Sequence, residues 1–111
     1  MRKKLKQKLF FKGSIIEVGL KTDMPKEVRR YMLTESMTKG FDFQLVCISG
    51  YNAGTVYCLI KPDPVASMLN CVAVTKQHVK DELIRNYGGY YKTTLKIYTK
   101  EAYQSKMAKS L

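Results

Sequence analysis

Strand-forming apolar residues concentrate in two neighbouring runs near the middle of the chain, Phe41–Ser49 and Thr55–Lys61. Both runs are rich in β-branched and aromatic residues, which pack well on a pleated surface. The segment between them, Gly50–Gly54, contains the Asn and Gly residues that tolerate positive φ in tight reversals. The pattern predicts a β-hairpin at the centre of a small sheet.

A four-residue loop, Tyr51–Gly54, would place Cys47 directly opposite Cys58 in this hairpin. Opposed Cβ atoms lie roughly 4.5–5.5 Å apart, which is slightly long for a relaxed disulfide. One interpretation is a redox-sensitive cross-strand pair. The favoured interpretation is two buried thiols that act as small apolar residues, because free cysteine is among the most buried residue types.

Before the hairpin, the pattern predicts one strand region and one helix. Leu9–Leu20 is the strand region, with Gly13 and Gly19 marking bends or a bulge. Lys21–Pro25 carries a capping residue followed by proline, which is a helix-start signal. The helix would continue to about Met37 and end at the following glycine.

After the hairpin, two prolines in Lys61–Pro64 end the strand, and Thr75 is a candidate N-cap for a second helix. Val65–Asn70 fits either a short helical turn or an irregular crossover, and Cys71–Val74 fits a short buried strand. The second helix would cover Lys76–Tyr87, and a cleanly alternating strand would cover Tyr91–Thr99. The tail, Glu101–Leu111, is either helical or disordered.

This order of elements predicts an α+β fold, with an antiparallel sheet of four to five strands around a central hairpin and two helices on one face. It is compatible with a split β-α-β arrangement, although one extra strand would change that topology. At 111 residues the chain is expected to form a single domain, 1–111, with a basic arm at 1–8 and a flexible tail at 101–111.

Composition and cysteine content indicate the cellular compartment of the protein. No apolar run approaches the ~18 residues that span a bilayer, and the apolar run after the basic start is too short for a signal peptide. Three cysteines without a stapling pattern favour a reducing compartment. These features predict a cytoplasmic domain without a membrane span.

The net charge of +11 is unevenly distributed. Residues 1–12 contribute +6, residues 13–79 contribute +1 and residues 80–111 contribute +4. The excess therefore lies at the two ends of the chain. Basic termini bind nucleic acid, anionic membrane surfaces or acidic proteins, and they also keep small proteins in solution.

The sequence lacks the patterns of catalytic and metal sites. His78 is its one histidine, and the cysteines at 47, 58 and 71 have no CxxC or CxxH spacing, so we expect no metal and no cofactor. His78 near Cys71 is a coincidence of residue types without a flanking motif. Phosphate-binding and nucleophile motifs are missing as well. We expect a protein that is not an enzyme.

Nucleic-acid binding is the function that the residues themselves favour. Basic and aromatic side chains share one face of the last predicted strand or lie just before it, where they could contact phosphates and stack on bases. Lysines on a terminal strand also prevent edge-to-edge aggregation, which is the plainer interpretation. The residues in question are Tyr87, Tyr90, Tyr91, Lys92, Lys96, Tyr98 and Lys100.

Three stretches, Gly13–Leu20, Ile48–Val56 and Ala73–Tyr87, resemble small bacterial immunity proteins of polymorphic-toxin and contact-dependent inhibition systems. The resemblance implies a cytosolic α+β protein without enzymatic activity that binds one cognate toxin and blocks its active site. An inhibitor of charge +11 suits a toxin with an acidic surface.

Tyrosine and lysine side chains are the candidate contacts with that partner, because tyrosine buries much area at little entropic cost. We expect them at the hairpin tip, after the second helix and on the last strand: Tyr51, Asn52, Tyr87, Tyr90, Tyr91, Lys92, Lys96 and Tyr98.

Overall fold

The structure is a computed structural model that describes residues 8–20, 27–50, 52–87 and 94–109. Its elements, in chain order, are β1 Leu9–Phe10, β2 Ile15–Leu20, β3 Glu27–Glu35, β4 Phe43–Cys47, β5 Val56–Ile60, α1 Pro64–Met68, β6 Val74–Thr75, α2 Lys76–Tyr87, β7 Thr94–Tyr98 and α3 Lys100–Lys109.

The main sheet has five antiparallel strands in the order β5-β4-β3-β2-β7, and β1 pairs with β6 in a separate two-stranded sheet. The α+β class and the antiparallel sheet are thereby confirmed. The predicted hairpin forms β4 and β5, but it lies at one end of the sheet, and β3 lies at its centre. In the described residues, no helix is long and apolar enough to cross a membrane.

The helix predicted to run to Met37 is wrong, because Glu27–Glu35 is the central strand β3. Its proposed start signal at 21–25 lies outside the described residues. Tyr31 and Leu33 are fully buried and alternate with half-buried Met32 and Thr34, which is the period of a strand. Pairing with both β2 and β4 outweighs the local helix signals.

The hairpin register also differs from the prediction. Leu45, rather than Cys47, lies opposite Cys58, and the next pair is Val46 with Val56. A β-bulge therefore adds Tyr57 to β5, so that Tyr57 and Cys58 both contact the core. Both cysteines are buried and free, in agreement with the favoured interpretation.

Two faces of the sheet follow from its register. The inner face carries the hydrophobic core, to which α2 contributes Val79 and Leu83. The outer face includes Glu17 and Tyr98, and α3 contacts it through Lys106. The helices α2 and α3 thus lie on opposite faces. Of the two helices predicted on one face, α2 is present and the other is the strand β3.

The chain after the hairpin largely follows the sequence pattern, but the strand predicted at Cys71–Val74 is β6, which covers Val74–Thr75. Thr75 caps α2 by accepting a hydrogen bond from the His78 N–H (3.1 Å), and α2 has the predicted bounds. The short helix α1, Pro64–Met68, covers most of Val65–Asn70, and the tail predicted as flexible at 101–111 is helical as far as Lys109, in α3. The predicted strand at 91–99 is β7 over its described part.

The predicted N-terminal strand region, Leu9–Leu20, contains two strands, β1 and β2, which are separated at Gly13, where φ is +95°.

Candidate functional site

A half-open cleft of about 310 Å³ lies where the start of β3, the end of β4 and the start of β5 meet. We call it the hairpin cleft. The residues that line it come from these three strands and from the turn between β4 and β5: Val28, Arg29, Tyr31, Cys47, Ser49, Gly50, Asn52, Thr55 and Tyr57.

The floor of the hairpin cleft is aromatic. The rings of Tyr31 and Tyr57 stack with centroids 4.5 Å apart and an interplanar angle of 21°. Tyr31 is buried on the inner face, and the β-bulge turns Tyr57 toward the same side. The Cys47 thiol lies beside them and donates to the Ser49 carbonyl (3.1 Å). Such a floor offers a rigid surface on which another side chain can pack.

The turn that forms one wall of the cleft is fixed by its own hydrogen bonds. The Gly54 N–H donates to the Cys47 carbonyl (2.7 Å), and Gly54 has φ of +94°, which a residue with a Cβ rarely adopts. Both the N–H and the hydroxyl of Thr55 donate to the Asn52 carbonyl (3.1 and 2.7 Å). Asn52 is therefore held at the tip with its side chain exposed.

Among the described residues that line the cleft, Arg29 carries a charge and none carries a carboxylate. Its side chain is exposed, and it follows Val28 at the start of β3. The neutral hydrogen-bonding groups around it are those of Asn52, Ser49 and Thr55. The cleft therefore combines an aromatic floor, neutral polar walls and one positive charge.

Next to the cleft, the outer face of the sheet carries an apolar patch formed by Val28, Met32, Val46 and Val56, which we call the outer patch. The register pairs Met32 with Val46 and Val46 with Val56, so these three side chains are neighbours. Val28 lies on the same face of β3, four residues before Met32, with Arg30 between them. Val28 and Val56 are 41% and 52% exposed. The main contacts of α3 are with β7, at the opposite end of the strand order.

The structure does not bring the predicted contact residues together. Asn52 lines the hairpin cleft, whereas Lys96 and Tyr98 lie on β7, at the other end of the sheet. The Tyr98 hydroxyl is within 3.4 Å of Glu17 and accepts from Lys106 (3.2 Å), so it takes part in an internal contact. Tyr87 is the last residue of α2, but its side chain lies outside the described part of the structure. Four other predicted contact residues also lie outside the described residues: Tyr51, Tyr90, Tyr91 and Lys92.

Sequence reasoning missed Arg29, Tyr31 and Tyr57 as members of a site. Arg29 and Tyr31 were assigned to a helix, and the predicted register placed Tyr57 opposite Ile48. The first two are identified only by the structure, because residues 28–35 do not alternate between apolar and polar, whereas Tyr31 and Leu33 are buried between half-buried neighbours. The third depends on a bulge, which the sequence does not mark.

His78 belongs to a buried polar network near α2. Its Nε2 lies 2.7 Å from the Lys61 carbonyl, and the Lys61 N–H donates to Glu82 (2.9 Å). Asp63 accepts from the Val65 N–H and from both the N–H and hydroxyl of Thr75. These bonds join the end of β5 to α1 and α2, which is a structural role.

The carboxyl groups of this network are held ionised. Burial by itself raises the pKa of Asp63, but the hydrogen bonds from Thr75 and Val65 together outweigh it and lower the pKa below 3.8. Burial opposes ionisation of Glu82 as well, yet Arg85 and the Lys61 N–H lower its pKa below 4.5. Among the described residues, no group of three His, Cys, Asp or Glu side chains is placed to hold a metal ion.

Comparison of the chain with protein-family models, with curated proteins and with solved structures found no match.

Proposed function

We propose that the protein is a non-enzymatic inhibitor that binds a cognate protein toxin and blocks its active site, as the resemblance to immunity proteins implies. The observation that supports this function is the hairpin cleft with its stacked tyrosine floor, directly beside the exposed valines of the outer patch.

Aromatic anchors in a partly apolar core with a polar rim are typical of protein interfaces. The hairpin cleft and the outer patch share Val28, so one partner surface can cover both. Tyr57 is half-buried and its ring is already stacked, so it loses little conformational freedom on binding. Inhibition then needs only steric occlusion, which a rigid sheet edge provides.

Nucleic-acid binding is the second candidate, and one observation favours it. A crevice of about 230 Å³ is lined by Lys12 and Lys100, so the structure brings Lys12 next to the start of α3. Phe11 lies in the same crevice and is exposed. However, Glu101 also lines it, and Glu35 lies 3.8 Å from the Lys12 ammonium group. The local positive excess is therefore small, and this function ranks second.

The test is capture of partners from a lysate of the source cells at 150 mM salt, with and without nuclease, by the wild-type protein and two Val→Asp variants. Val56→Asp places a charge in the outer patch. Val72→Asp is the matched control, because Val72 is 65% exposed and lies near Glu35 and Phe43, at the opposite end of β3 and β4.

We expect one protein that survives nuclease treatment, and we expect Val56→Asp to weaken its binding about tenfold or more, because an unpaired charge would be buried in the interface. Val72→Asp should bind as the wild type does. Equal binding by all three proteins would refute the outer patch as the contact. If nuclease treatment removed all of the captured material, the inhibitor function would be refuted and nucleic-acid binding would be supported.

A further inference from the structure

We propose that the hairpin cleft binds the carboxylate of an aspartate or glutamate side chain of the partner, with Arg29 as the principal donor. This inference rests on the proposed function, because it names the chemistry by which the partner is recognised. It concerns the cleft rather than the outer patch, and it assigns a role to Arg29, which the sequence patterns did not identify.

Charge is the first argument. Arg29 is the charged residue among the described residues of the lining, and the buried carboxylates of the described chain have partners elsewhere. Glu17 contacts Arg30 and Lys106, while Asp63 and Glu82 belong to the network around α2. An arginine side chain has five N–H donors in a planar fork that matches a carboxylate, so it can bind an incoming anion in addition to a contact within the protein.

The neutral groups are the second argument. The Ser49 hydroxyl oxygen accepts from the Arg30 N–H (3.2 Å), which leaves its own hydrogen to donate. The exposed Asn52 amide supplies two further donors at the mouth. The Thr55 hydroxyl donates to the Asn52 carbonyl and is therefore occupied. The cleft thus presents a cation and neutral donors, which favour an anion over a cation.

The size of the cleft is the third argument. About 310 Å³ is near the lower limit for a small-molecule site, so the cleft accommodates a single side chain. The methylene groups of a glutamate can pack on the Tyr57 ring while its carboxylate reaches Arg29. Partial exclusion of water in the cleft strengthens the charge-assisted hydrogen bonds. A carboxylate on a partner is therefore a better match than a bulky, doubly charged phosphate.

The probe is N-acetyl-glutamate N-methylamide, titrated to tens of millimolar while the backbone amide shifts of the protein are followed by NMR. The isosteric glutamine derivative and inorganic phosphate are the comparison ligands. We expect the glutamate derivative to shift the amides of Ser49, Asn52 and Thr55, and to bind at least about fivefold more tightly than the glutamine derivative, as a charge-assisted hydrogen bond predicts.

Two variants and one control locate the contact. Arg29→Gln removes the charge, and Asn52→Asp adds a negative charge at an exposed turn position without altering the sheet. Both should weaken glutamate binding at least about fivefold. Lys39→Gln is the control, because Lys39 is exposed in the turn between β3 and β4. Its loss should leave binding unchanged.

Equal binding of the glutamate and glutamine derivatives would overturn the inference, as would tighter binding of phosphate or an unchanged affinity in Asn52→Asp. The two proposals fail separately. If a captured partner binds Arg29→Gln and wild type equally, the inference is wrong while the inhibitor function stands. If the glutamate derivative binds and no protein partner is captured, carboxylate binding by the cleft is supported and the inhibitor function is wrong.

Discussion

Cys58 shows how burial decides the chemistry of a single side chain in this protein. Burial raises the pKa of its thiol to about 12, and the nearby carboxylate of Glu82 adds to the shift. A thiol reacts as its thiolate, so at pH 8 only about one Cys58 in 10⁴ is in the reactive form. Cys58 is therefore an inert core residue, and Cys47 is buried on the neighbouring strand.

We predict that iodoacetamide at pH 8 alkylates Cys71 first, because Cys71 is the half-exposed cysteine, and leaves Cys58 unmodified in the folded protein. Mass spectrometry of peptides from a time course measures both rates, with urea-unfolded protein as the control in which all cysteines react. We also expect mild oxidation to form no bond between Cys47 and Cys58, because Leu45 lies opposite Cys58. Alkylation of Cys58 as fast as Cys71 would contradict the prediction.

At the scale of elements, local signals determined some segments and tertiary pairing determined others. The capping Thr75 and the spacing of Val79 and Leu83 correctly predict α2, because its cap and its buried stripe agree. The two hairpin strands are equally clear from their content of β-branched and aromatic residues. For β3, a proline and a basic-then-glycine ending resemble helix boundaries, yet pairing on both sides makes it a strand.

The candidate site was less predictable than the fold, since it depends on register. Asn52 was recognised because turn residues are marked by their chemistry. The aromatic floor needs Tyr31 of β3 and Tyr57 of the bulge to meet, and a shift of one residue turns a side chain to the other face. Residues that join a site only because of the strand register therefore cannot be identified from a single sequence.

α3 is an element whose position depends on one carboxylate. It contains no buried residue, and a ten-residue helix is marginal by itself. Its contacts with the sheet include the Lys106 ammonium group on Glu17 (3.2 Å) and on the Tyr98 hydroxyl (3.2 Å), together with the tilted ring pair of Tyr98 and Tyr103. Glu17 thus joins α3 to β2.

We predict that Glu17→Gln loosens α3 while β2 and β3 stay paired, because the amide loses its ion pairs with Lys106 and Arg30, whereas the two strands are also joined by their backbone ladder. Hydrogen exchange of the amides at 104–109 should become roughly fivefold faster or more. Glu35→Gln is the matched control on the same sheet, since Glu35 is exposed and its pair with Lys12 is long at 3.8 Å. Unchanged protection of α3 in Glu17→Gln would show that other contacts hold the helix.

The stability of the whole molecule should depend on acid, because three buried carboxylates have lowered pKa values. Burial alone would raise the pKa of Glu17, yet Arg30 and Lys106 lower it below 4.5, and Asp63 and Glu82 behave similarly for the reasons given above. Between the lowered and the ordinary values, the unfolded chain binds more protons than the folded one. The free energy of unfolding therefore rises with pH through this window.

We predict a stability plateau above about pH 5 and a progressive loss as the pH falls below the ordinary values of 4.5 and 3.8. At pH 7, Asp63→Asn should lower the free energy of unfolding by about 1–3 kcal/mol, because the amide cannot accept all the hydrogen bonds that the carboxylate accepts. The difference from wild type should shrink as the pH falls, since the wild type then loses the contribution of its ionised Asp63.

Urea unfolding between pH 7 and pH 2 measures this difference, at a fixed salt concentration so that repulsion among the 20 basic side chains affects both proteins equally. Asp81→Asn serves as the control, because Asp81 is exposed and accepts from the Gln77 amide, and its curve should follow the wild type throughout. Curves of wild type and Asp63→Asn that stay parallel down to pH 2 would show that the acid sensitivity comes from overall charge repulsion rather than from the buried carboxylate.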